Sequence, residues 1–302
     1  FVVGSGLALL QVAINPYVGA LGSPDTASSR LNLAGGFNSL ATTIAPRLGA
    51  AFIFIAAGAS AVELAHSVRM PYVILAGCAF AMAVITAFVH LPELIEKRAE
   101  NDTSGGSAWK FRHLRLGAGA IFFYVGAEVA IGSLMIAYLS QPLMGGFSHQ
   151  TAAHYVSLYW GGAMVGRFIG FAALRKVNSE NALAFVSSIA LVLMGITITT
   201  HGPVAMWAVV ACGLCHSVMW PCIFPLAVEG LGKYTSQGSG ILITMVVGGA
   251  VIPEIQGFLA DVFSYQKSFV IVFICYAYLL HFALRGYRIQ QSSDDVPVAL
   301  ES

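Results

Sequence analysis

The chain has 302 residues, of which 57% are hydrophobic and only 10% are charged, and its formal net charge is +1. A soluble globular protein has about 25% charged residues, so this composition excludes both an ordinary water-soluble domain and a disordered chain. The balanced charge excludes a polycationic surface for nucleic acid, and the 5 cysteines are too few for a disulfide scaffold, which leaves a polytopic helical membrane protein.

Apolar segments long enough to cross a bilayer recur along the whole chain. A spanning helix needs about 20 mainly apolar residues. Strands are excluded as spanning elements because the segments are too long and lack the alternation of a barrel. We therefore predict an all-α membrane protein with about nine transmembrane helices. They cover residues 1–20, 33–60, 71–91, 116–139, 152–173, 182–200, 203–229, 237–260 and 268–286.

A polar stretch separates the third predicted span from the fourth. Residues 93–115 carry charges of both signs around a Thr-Ser-Gly-Gly-Ser run, a composition that predicts a flexible, solvated linker. The linker divides the chain into residues 1–92, with three spans, and residues 116–286, with six. Residues 287–302 form a polar C-terminal tail.

The basic residues predict the orientation of the spans. If the linker is cytoplasmic and the spans alternate, most of the 15 basic residues fall on the cytoplasmic side together with the tail. Arg69 and Lys267 fall on the outer side of the membrane, and Arg47 lies within a span. The chain opens without Met, at Phe1 within an apolar segment, so we expect three further spans before it. The protein then has two six-span halves, each a pair of inverted three-span repeats.

Several short motifs occur along the chain in a characteristic order. They are NPYVGALG at 15–22, SSRLNLA at 28–34, FNS at 37–39, YVGAE at 124–128, YWGGAMVGRFIG at 159–170, GGAVIP at 248–253 and QGFLAD at 256–261. In their order and spacing these motifs resemble the fucose/glucose/galactose permease family of the major facilitator superfamily. The resemblance implies an expected twelve spans, a central cavity between two halves, and sugar uptake driven by protons.

Two positions indicate a branch of that family. Where the fucose permeases carry a glutamate, four residues before the Asn-Pro pair, this chain has Gln11, and it has a glutamate at Glu128. This combination is similar to the glucose/galactose branch, with an L-fucose:proton symporter as the alternative. The chain departs from the family at Gly35, where glutamine is usual, and at Arg47 and Glu254, where apolar residues are usual. A non-transporting, truncated membrane protein therefore stays open as a further alternative.

Glu128 is the charged residue of an otherwise uncharged apolar segment, residues 116–139. A carboxylate in the middle of a bilayer costs about 2.5 kcal/mol or more. Because burial disfavours the ionised form, such a carboxyl group can bind and release a proton, as a proton symporter requires. We therefore predict proton coupling at Glu128; the alternative is a permanently hydrogen-bonded structural carboxyl group.

Sugars are recognised by side chains that both donate and accept hydrogen bonds, as amides do, and by aromatic rings that stack on a pyranose. Amides also join helices, and aromatic rings are also ordinary core residues. A histidine within a span can also line the cavity. Gln11 and Asn15 share one helix face, as do Tyr124 and Glu128, because four residues separate each pair. The predicted substrate-binding residues are Gln11, Asn15, Asn38, Tyr124, Trp160, His216 and Trp220.

One segment combines regularly spaced glycines with a basic residue. Gly162, Gly166 and Gly170 recur every four residues, a pattern that lets two helices approach closely. Arg167 lies towards the predicted cytoplasmic end of the same span, where a long basic side chain can reach the interface. Within the superfamily this segment is similar to the cytoplasmic gating motif between spans eight and nine. We therefore predict a packing and gating role for these four residues.

Other chemistries find no support in the sequence. The string Cys212-Gly-Leu-Cys215-His216 matches a haem attachment motif, but it lies in the middle of a span, so we predict no haem, metal or other cofactor. A Gly-rich phosphate loop is absent, so the energy source must be an ion gradient rather than ATP. We also expect no enzyme activity. The expected partners are a sugar, a proton and lipid, for a monomer in a bacterial inner membrane.

Overall fold

The computed structural model describes residues 2–53, 61–89 and 106–289, and within these ranges the chain is helical, with no strand. Residues 93–105 of the predicted linker, residues 290–302 of the predicted tail and the side chain of Arg47 lie outside the described part. The helices are α1 (Val2–Ala20), α2 (Ala27–Ile53), α3 (Ala61–Phe88), α4 (Arg112–Leu139), α5 (His149–Ala173), α6 (Ser179–Thr199), α7 (Gly202–His216), α8 (Met219–Val228), α9 (Thr235–Thr244), α10 (Gly248–Val262), α11 (Tyr265–Ser268) and α12 (Val270–His281).

Over the residues that the structure describes, each predicted span coincides with helical structure, which confirms the all-α membrane fold. By length and composition, 6 spans among the described residues can cross a membrane, or up to 7 if the bent pair α7 and α8 forms one span. Helices α2 and α5 have spanning lengths of 27 and 25 residues but are more polar than these. Most helices begin several residues before their predicted apolar segments, because a helix continues beyond the hydrocarbon region that the composition marks.

Three of the predicted spans are interrupted. The segment 203–229 bends by 40° between α7 and α8, where Pro221 has no N–H to offer the carbonyl four residues earlier. The segment 237–260 contains a 3-10 turn, Met245–Val247, between α9 and α10. The last span ends in the π-helical turn Phe282–Gly286. Apolar composition gives the length of a span and does not reveal such breaks.

The packed core lies among α4 to α12. Helix α4 packs against α8, α10 and α12, and α5 packs against α2 and α7. Tyr124, Tyr138, Tyr159 and Tyr276 are among the largest fully buried side chains. By contrast, the apolar windows of α1 and α3 carry no buried residues. The tyrosines bring hydroxyl groups into the core, and each needs a hydrogen-bond partner there.

Helices α4 and α10 approach each other with their backbones in contact. A β-carbon at Gly248 would overlap the backbone of Phe122, and one at Gly126 would overlap the side chain of Ile252. Glycine is therefore needed at both positions. The contact fixes one side of α4 and leaves its other side free to carry the candidate site.

The end of the predicted linker is more ordered than its composition suggests. Helix α4 begins at Arg112, inside the predicted linker, after a 3-10 turn over Ala108–Lys110. Ala108 is fully buried, and its N–H donates to Oε1 of Gln237 at 2.8 Å. The ammonium of Lys110 lies 4.7 Å from the centre of the Tyr234 ring. Residues 106–115 are thus fastened to the start of α9, which charge and glycine content alone did not predict.

Candidate functional site

Glu128 lies on α4 and is held by two neighbours. The hydroxyl of Tyr124, one helical turn earlier, donates to Oε1 of Glu128 at 3.0 Å. The Nη2 atom of Arg167, on α5, lies 3.9 Å from the same oxygen, and the Glu128 and Arg167 side chains are only 13% and 14% exposed. Opposite charges and a hydrogen bond offset the cost of placing ionised groups in an apolar bundle.

The side chain of Arg167 also reaches α2. Its guanidinium lies against Gly35, where a β-carbon would overlap Nη1. The absence of a side chain at Gly35 therefore makes room for Arg167 beside Glu128. The Nε atom of Arg167 is buried and has no hydrogen-bond partner among the described residues. The position of Arg167 towards the cytoplasmic end of its span stays a prediction, and its side chain turns towards the carboxyl group of Glu128.

Three of the predicted substrate-binding residues pack together around Tyr124, which is hydrogen-bonded to Glu128. The ring centre of Tyr124 lies 5.9 Å from that of His216 and 6.4 Å from that of Trp220. Trp220 in turn stacks on Phe224 at 6.0 Å. The structure thus brings Glu128, Tyr124, His216 and Trp220 into one cluster, with rings contributed by α4, α7 and α8.

Trp160 belongs to the border of this cluster. Its ring lies 5.1 Å from that of Tyr159, edge to face, and it packs over Gly132 of α4. A β-carbon at Gly132 would approach the indole to 3.1 Å, so the glycine lets this ring lie flat against the helix.

His216 is joined to two tyrosines that the sequence analysis did not single out. The hydroxyl of Tyr159 lies 2.6 Å from Nδ1 of His216, and the hydroxyl of Tyr276 lies 2.7 Å from Nε2. The Tyr159 hydroxyl also donates to the backbone carbonyl of Glu128 at 3.1 Å. These residues lie far apart in the sequence on different helices, so no spacing pattern indicates their contact.

The amide candidates of α1 and α2 lie elsewhere. Gln11 and Asn38 are exposed, and the amide of Asn15 donates to the carbonyl of Gln11 within its own helix at 2.9 Å. Asn38 lies one turn beyond Gly35 and so on the same face of α2 as the contact to Arg167. Asn38 itself is exposed, and for Gln11, Asn15 and Asn38 a role at this site stays a prediction.

A polar seam joins the start of α2 to α5 and α6. The hydroxyl of Ser29 donates to the carbonyl of Phe171 at 2.7 Å, and the amide of Asn32 donates to the carbonyl of Arg167 at 2.8 Å. Ser28 shares a hydrogen bond of 2.7 Å with Ser179. We call these three contacts the α2–α5 seam. Its bonds use neutral hydroxyl, amide and carbonyl groups throughout.

The three regularly spaced glycines of α5 have two kinds of neighbour. Gly162 and Gly166 lie against Leu214 of α7, and Gly166 also touches Ser217 at the bend before α8. Gly170 lies against both Asn32 of the seam and Val218 at the same bend. The stripe therefore lets α5 approach both α7 and α2, which is the geometry that a packing role requires, while gating stays a prediction.

A cavity of about 730 Å³ lies at the end of the bundle where the α1–α2, α5–α6 and α8–α9 connections meet. Its lining includes Pro16, Ser28, Arg175, Glu180 and Phe224. The predicted substrate-binding residues do not belong to its described lining. The charge pair and the hydrogen bonds locate the candidate site, and the cavity lies beyond it, next to the seam.

The remaining polar and reactive groups form no second centre in the described parts of the chain. No group of three His, Cys, Asp or Glu side chains there can hold a metal. Cys212 and Cys215 are free and buried. Glu254 is exposed on α10, so it does not form a buried charge centre. Its suggested partner Arg47 lies outside the described side chains.

Similar proteins carry names that agree with this fold. A glucose/galactose transporter of Brucella abortus is 51% identical over 290 residues, which cover 95% of this chain and 70% of that protein. A putative glucose/galactose transporter of Helicobacter pylori is 38% identical over 305 residues, covering 97% of this chain and 74% of that protein. An L-fucose-proton symporter of Escherichia coli is 28% identical over 311 residues, which cover 94% of this chain and 70% of that protein. No family model matches the chain.

Solved structures show the same architecture. A major facilitator superfamily transporter, FucP, in its outward conformation superposes with a TM-score of 0.83 at 27% identity, covering 95% of this chain and 74% of that one. The fold, with its buried intramembrane charge pair, is that of a multi-pass transporter of the major facilitator superfamily. Within it, the chain belongs to the fucose/glucose/galactose permease family. The relatives are transporters and not enzymes.

Proposed function

We propose that this protein imports a neutral hexose, D-glucose or D-galactose, by proton symport across a bacterial inner membrane. The observation that carries the proposal is the carboxyl group of Glu128, buried in the membrane-spanning bundle between the Tyr124 hydroxyl and the Arg167 guanidinium. The glucose/galactose transporter at 51% identity favours these sugars over L-fucose. The symporter at 28% identity favours the proton as the coupling ion.

Glu128 is the proposed proton carrier. When it is ionised, its attraction to Arg167 across 3.9 Å is on the order of 4 kcal/mol at the effective dielectric constant of a protein. Protonation removes this attraction and frees Arg167 to move. An energy of this size is enough to shift the balance between outward-open and inward-open conformations.

The sugar site is proposed at the same level of the bundle. The partly exposed rings of Trp160 and Trp220 offer apolar faces for a pyranose next to the buried Tyr124, and the exposed amide of Asn38 can donate and accept hydrogen bonds. The halves would rock around this site in alternating access. The linker and the tail are then cytoplasmic, and the α2–α5 seam lies at the inner side.

Uptake of labelled D-glucose into proteoliposomes with an imposed proton gradient tests the proposal. We expect accumulation that an uncoupler abolishes and that excess unlabelled D-galactose competes away. Competition by L-fucose alone would support the alternative substrate of the same family. Absence of accumulation of all three sugars would contradict a transport function for this chain.

A further inference from the structure

A continuous chain of hydrogen bonds crosses the core from α12 to α4. It runs from the Tyr276 hydroxyl to Nε2 of His216 at 2.7 Å, from Nδ1 of His216 to the Tyr159 hydroxyl at 2.6 Å, and from that hydroxyl to the Glu128 carbonyl at 3.1 Å. The residues Tyr159, His216 and Tyr276 are each 0% exposed. In this buried setting every polar hydrogen needs an acceptor. Two acceptor atoms that face each other without a hydrogen between them are unfavourable.

Which group donates in each of these hydrogen bonds follows from counting the hydrogens. A tyrosine hydroxyl has one hydrogen, and a neutral imidazole has one N–H and one acceptor nitrogen. The carbonyl of Glu128 can only accept, so it takes the hydrogen of Tyr159. The Tyr159 oxygen must then accept from Nδ1–H of His216, and Nε2 accepts from Tyr276. The opposite tautomer would leave the Tyr159 oxygen facing the Glu128 carbonyl without a hydrogen between them.

We propose that His216, neutral and protonated on Nδ1, is a positioning residue that holds the Tyr159 hydroxyl against the Glu128 carbonyl and so orients the segment of α4 that bears the proton-carrying carboxyl group. This inference rests on the proposed function of Glu128. It assigns His216 a part in coupling from within the core, whereas the sequence suggested direct contact with the substrate.

The backbone around His216 is built for this contact. Gly213, one turn before His216, lies directly against the Tyr159 carbonyl, and a β-carbon there would overlap it. The close approach of α7 and α5 brings the imidazole within reach of the Tyr159 hydroxyl. His216 is also the last residue of α7, at the 40° bend before α8. The network therefore links the bend of this span to the backbone of Glu128.

The two nitrogens of His216 can be tested separately. In His216→Asn the amide nitrogen occupies the place of Nδ1 and can still donate to Tyr159, whereas in His216→Gln the amide occupies the place of Nε2. We expect proton-driven D-glucose accumulation within about threefold of the unchanged protein for His216→Asn. We expect a loss of about tenfold for His216→Gln and for Tyr159→Phe, since each removes a buried hydrogen bond next to Glu128.

Two further tyrosine variants serve as comparisons. Tyr276→Phe removes the hydrogen bond of the network that lies farthest from Glu128. It should reduce D-glucose accumulation less than Tyr159→Phe does. Tyr138→Phe is the matched control, since Tyr138 is equally buried on α4 but its hydroxyl contacts the carbonyl of Thr197 at 3.4 Å, outside the network. It should accumulate D-glucose like the unchanged protein.

Nitrogen-15 NMR of histidine-labelled protein reads the tautomer directly. The chain has 8 histidines, and the signal that disappears in His216→Asn identifies the residue. We expect a proton on Nδ1 and none on Nε2 at neutral pH. A merely packed histidine would have no reason to prefer that tautomer, so a proton on Nε2 would overturn the inference.

The outcomes separate this inference from the function on which it rests. If the unchanged protein accumulates D-glucose while His216→Gln and Tyr159→Phe behave like Tyr138→Phe, the positioning role is wrong and proton symport stands. If the unchanged protein accumulates no sugar, proton symport is wrong, and the tautomer of His216 still decides whether the network exists.

Discussion

Asn32 and Arg167 are joined across two helices, since the amide of Asn32 donates to the carbonyl of Arg167 at 2.8 Å. The side chain of the same arginine lies 3.9 Å from the carboxyl group of Glu128. Arg167 thus touches the α2–α5 seam with its backbone and the buried carboxyl group with its guanidinium. A change in the charge of Glu128 acts on a residue that also holds α2.

The first prediction concerns the carboxyl group of Glu128. In Glu128→Gln, a side chain of the same size that cannot carry a proton, we expect proton-driven accumulation of D-glucose to fall at least about a hundredfold, while exchange of labelled for unlabelled sugar continues. Both are measured in proteoliposomes. Glu254→Gln, at an exposed position of α10, is the control and should leave accumulation unchanged. Intact accumulation in Glu128→Gln would refute its role as proton carrier.

The second prediction concerns the balance of charge around Glu128. Arg167→Gln leaves a buried carboxylate without its partner and should lower the free energy of unfolding by about 3 kcal/mol. Adding Glu128→Gln should restore part of that loss, because the unpaired charge is gone. Thermal unfolding in detergent measures both.

Arg175→Gln is the control for this pair of variants, since the Arg175 guanidinium lies over the Phe171 ring at 4.5 Å and is exposed. It should change the unfolding temperature little. A double variant that is no more stable than Arg167→Gln alone would show that the 3.9 Å contact contributes no coupling between the two charges.

The third prediction concerns the close approach of α7 and α5. Gly213→Ala places a β-carbon on the carbonyl of Tyr159 and should destabilise the protein by about 1–3 kcal/mol, because a backbone cannot move aside. Gly161→Ala meets nothing within 4 Å and should be neutral or slightly stabilising, since alanine favours a helix. Unfolding of the two variants under the same conditions tests the contact. Equal stability would contradict it.

The fourth prediction concerns the α2–α5 seam. Ser29→Ala removes the hydrogen bond to the Phe171 carbonyl and should shift the conformational equilibrium towards separation of α2 from α5 by about fivefold. Distances between spin labels at Asp25 and Val177, on the connections that meet at this end, report the shift. Ser188→Ala is the control because its hydroxyl bonds within its own helix. An unchanged distance distribution would mean that the seam does not hold α2 against α5.

Much of the fold was predictable, because hydrocarbon thickness dictates the length of apolar segments and lipid demands helices. Composition could not show where a span breaks. The bend after His216 depends on Pro221 and on packing with α5, and the ordered residues 106–115 depend on a contact with Gln237 on a distant helix.

The candidate site was predictable only in part. Glu128 is visible in the sequence because a lone charge in an apolar segment is costly. Its neighbour Tyr124 follows from helical spacing. Arg167, Tyr159 and Tyr276 come from other helices, and their contacts depend on how those helices pack, which periodicity within one helix does not encode. The same limit applies to Gly35, whose importance lies in the arginine side chain that occupies the space beside it.

The backbone contact between Gly248 and Phe122 makes α4 and α10 behave as one rigid unit. Neither helix can turn about its own axis without driving one backbone into the other. The contact with α10 therefore limits rotation of α4 as a whole, while the Tyr159 hydroxyl acts locally on the carbonyl of Glu128. The surroundings of Glu128 then change when helices such as α5, which carries Arg167, move relative to this helix pair, and a larger side chain at position 248 would alter the site without touching it.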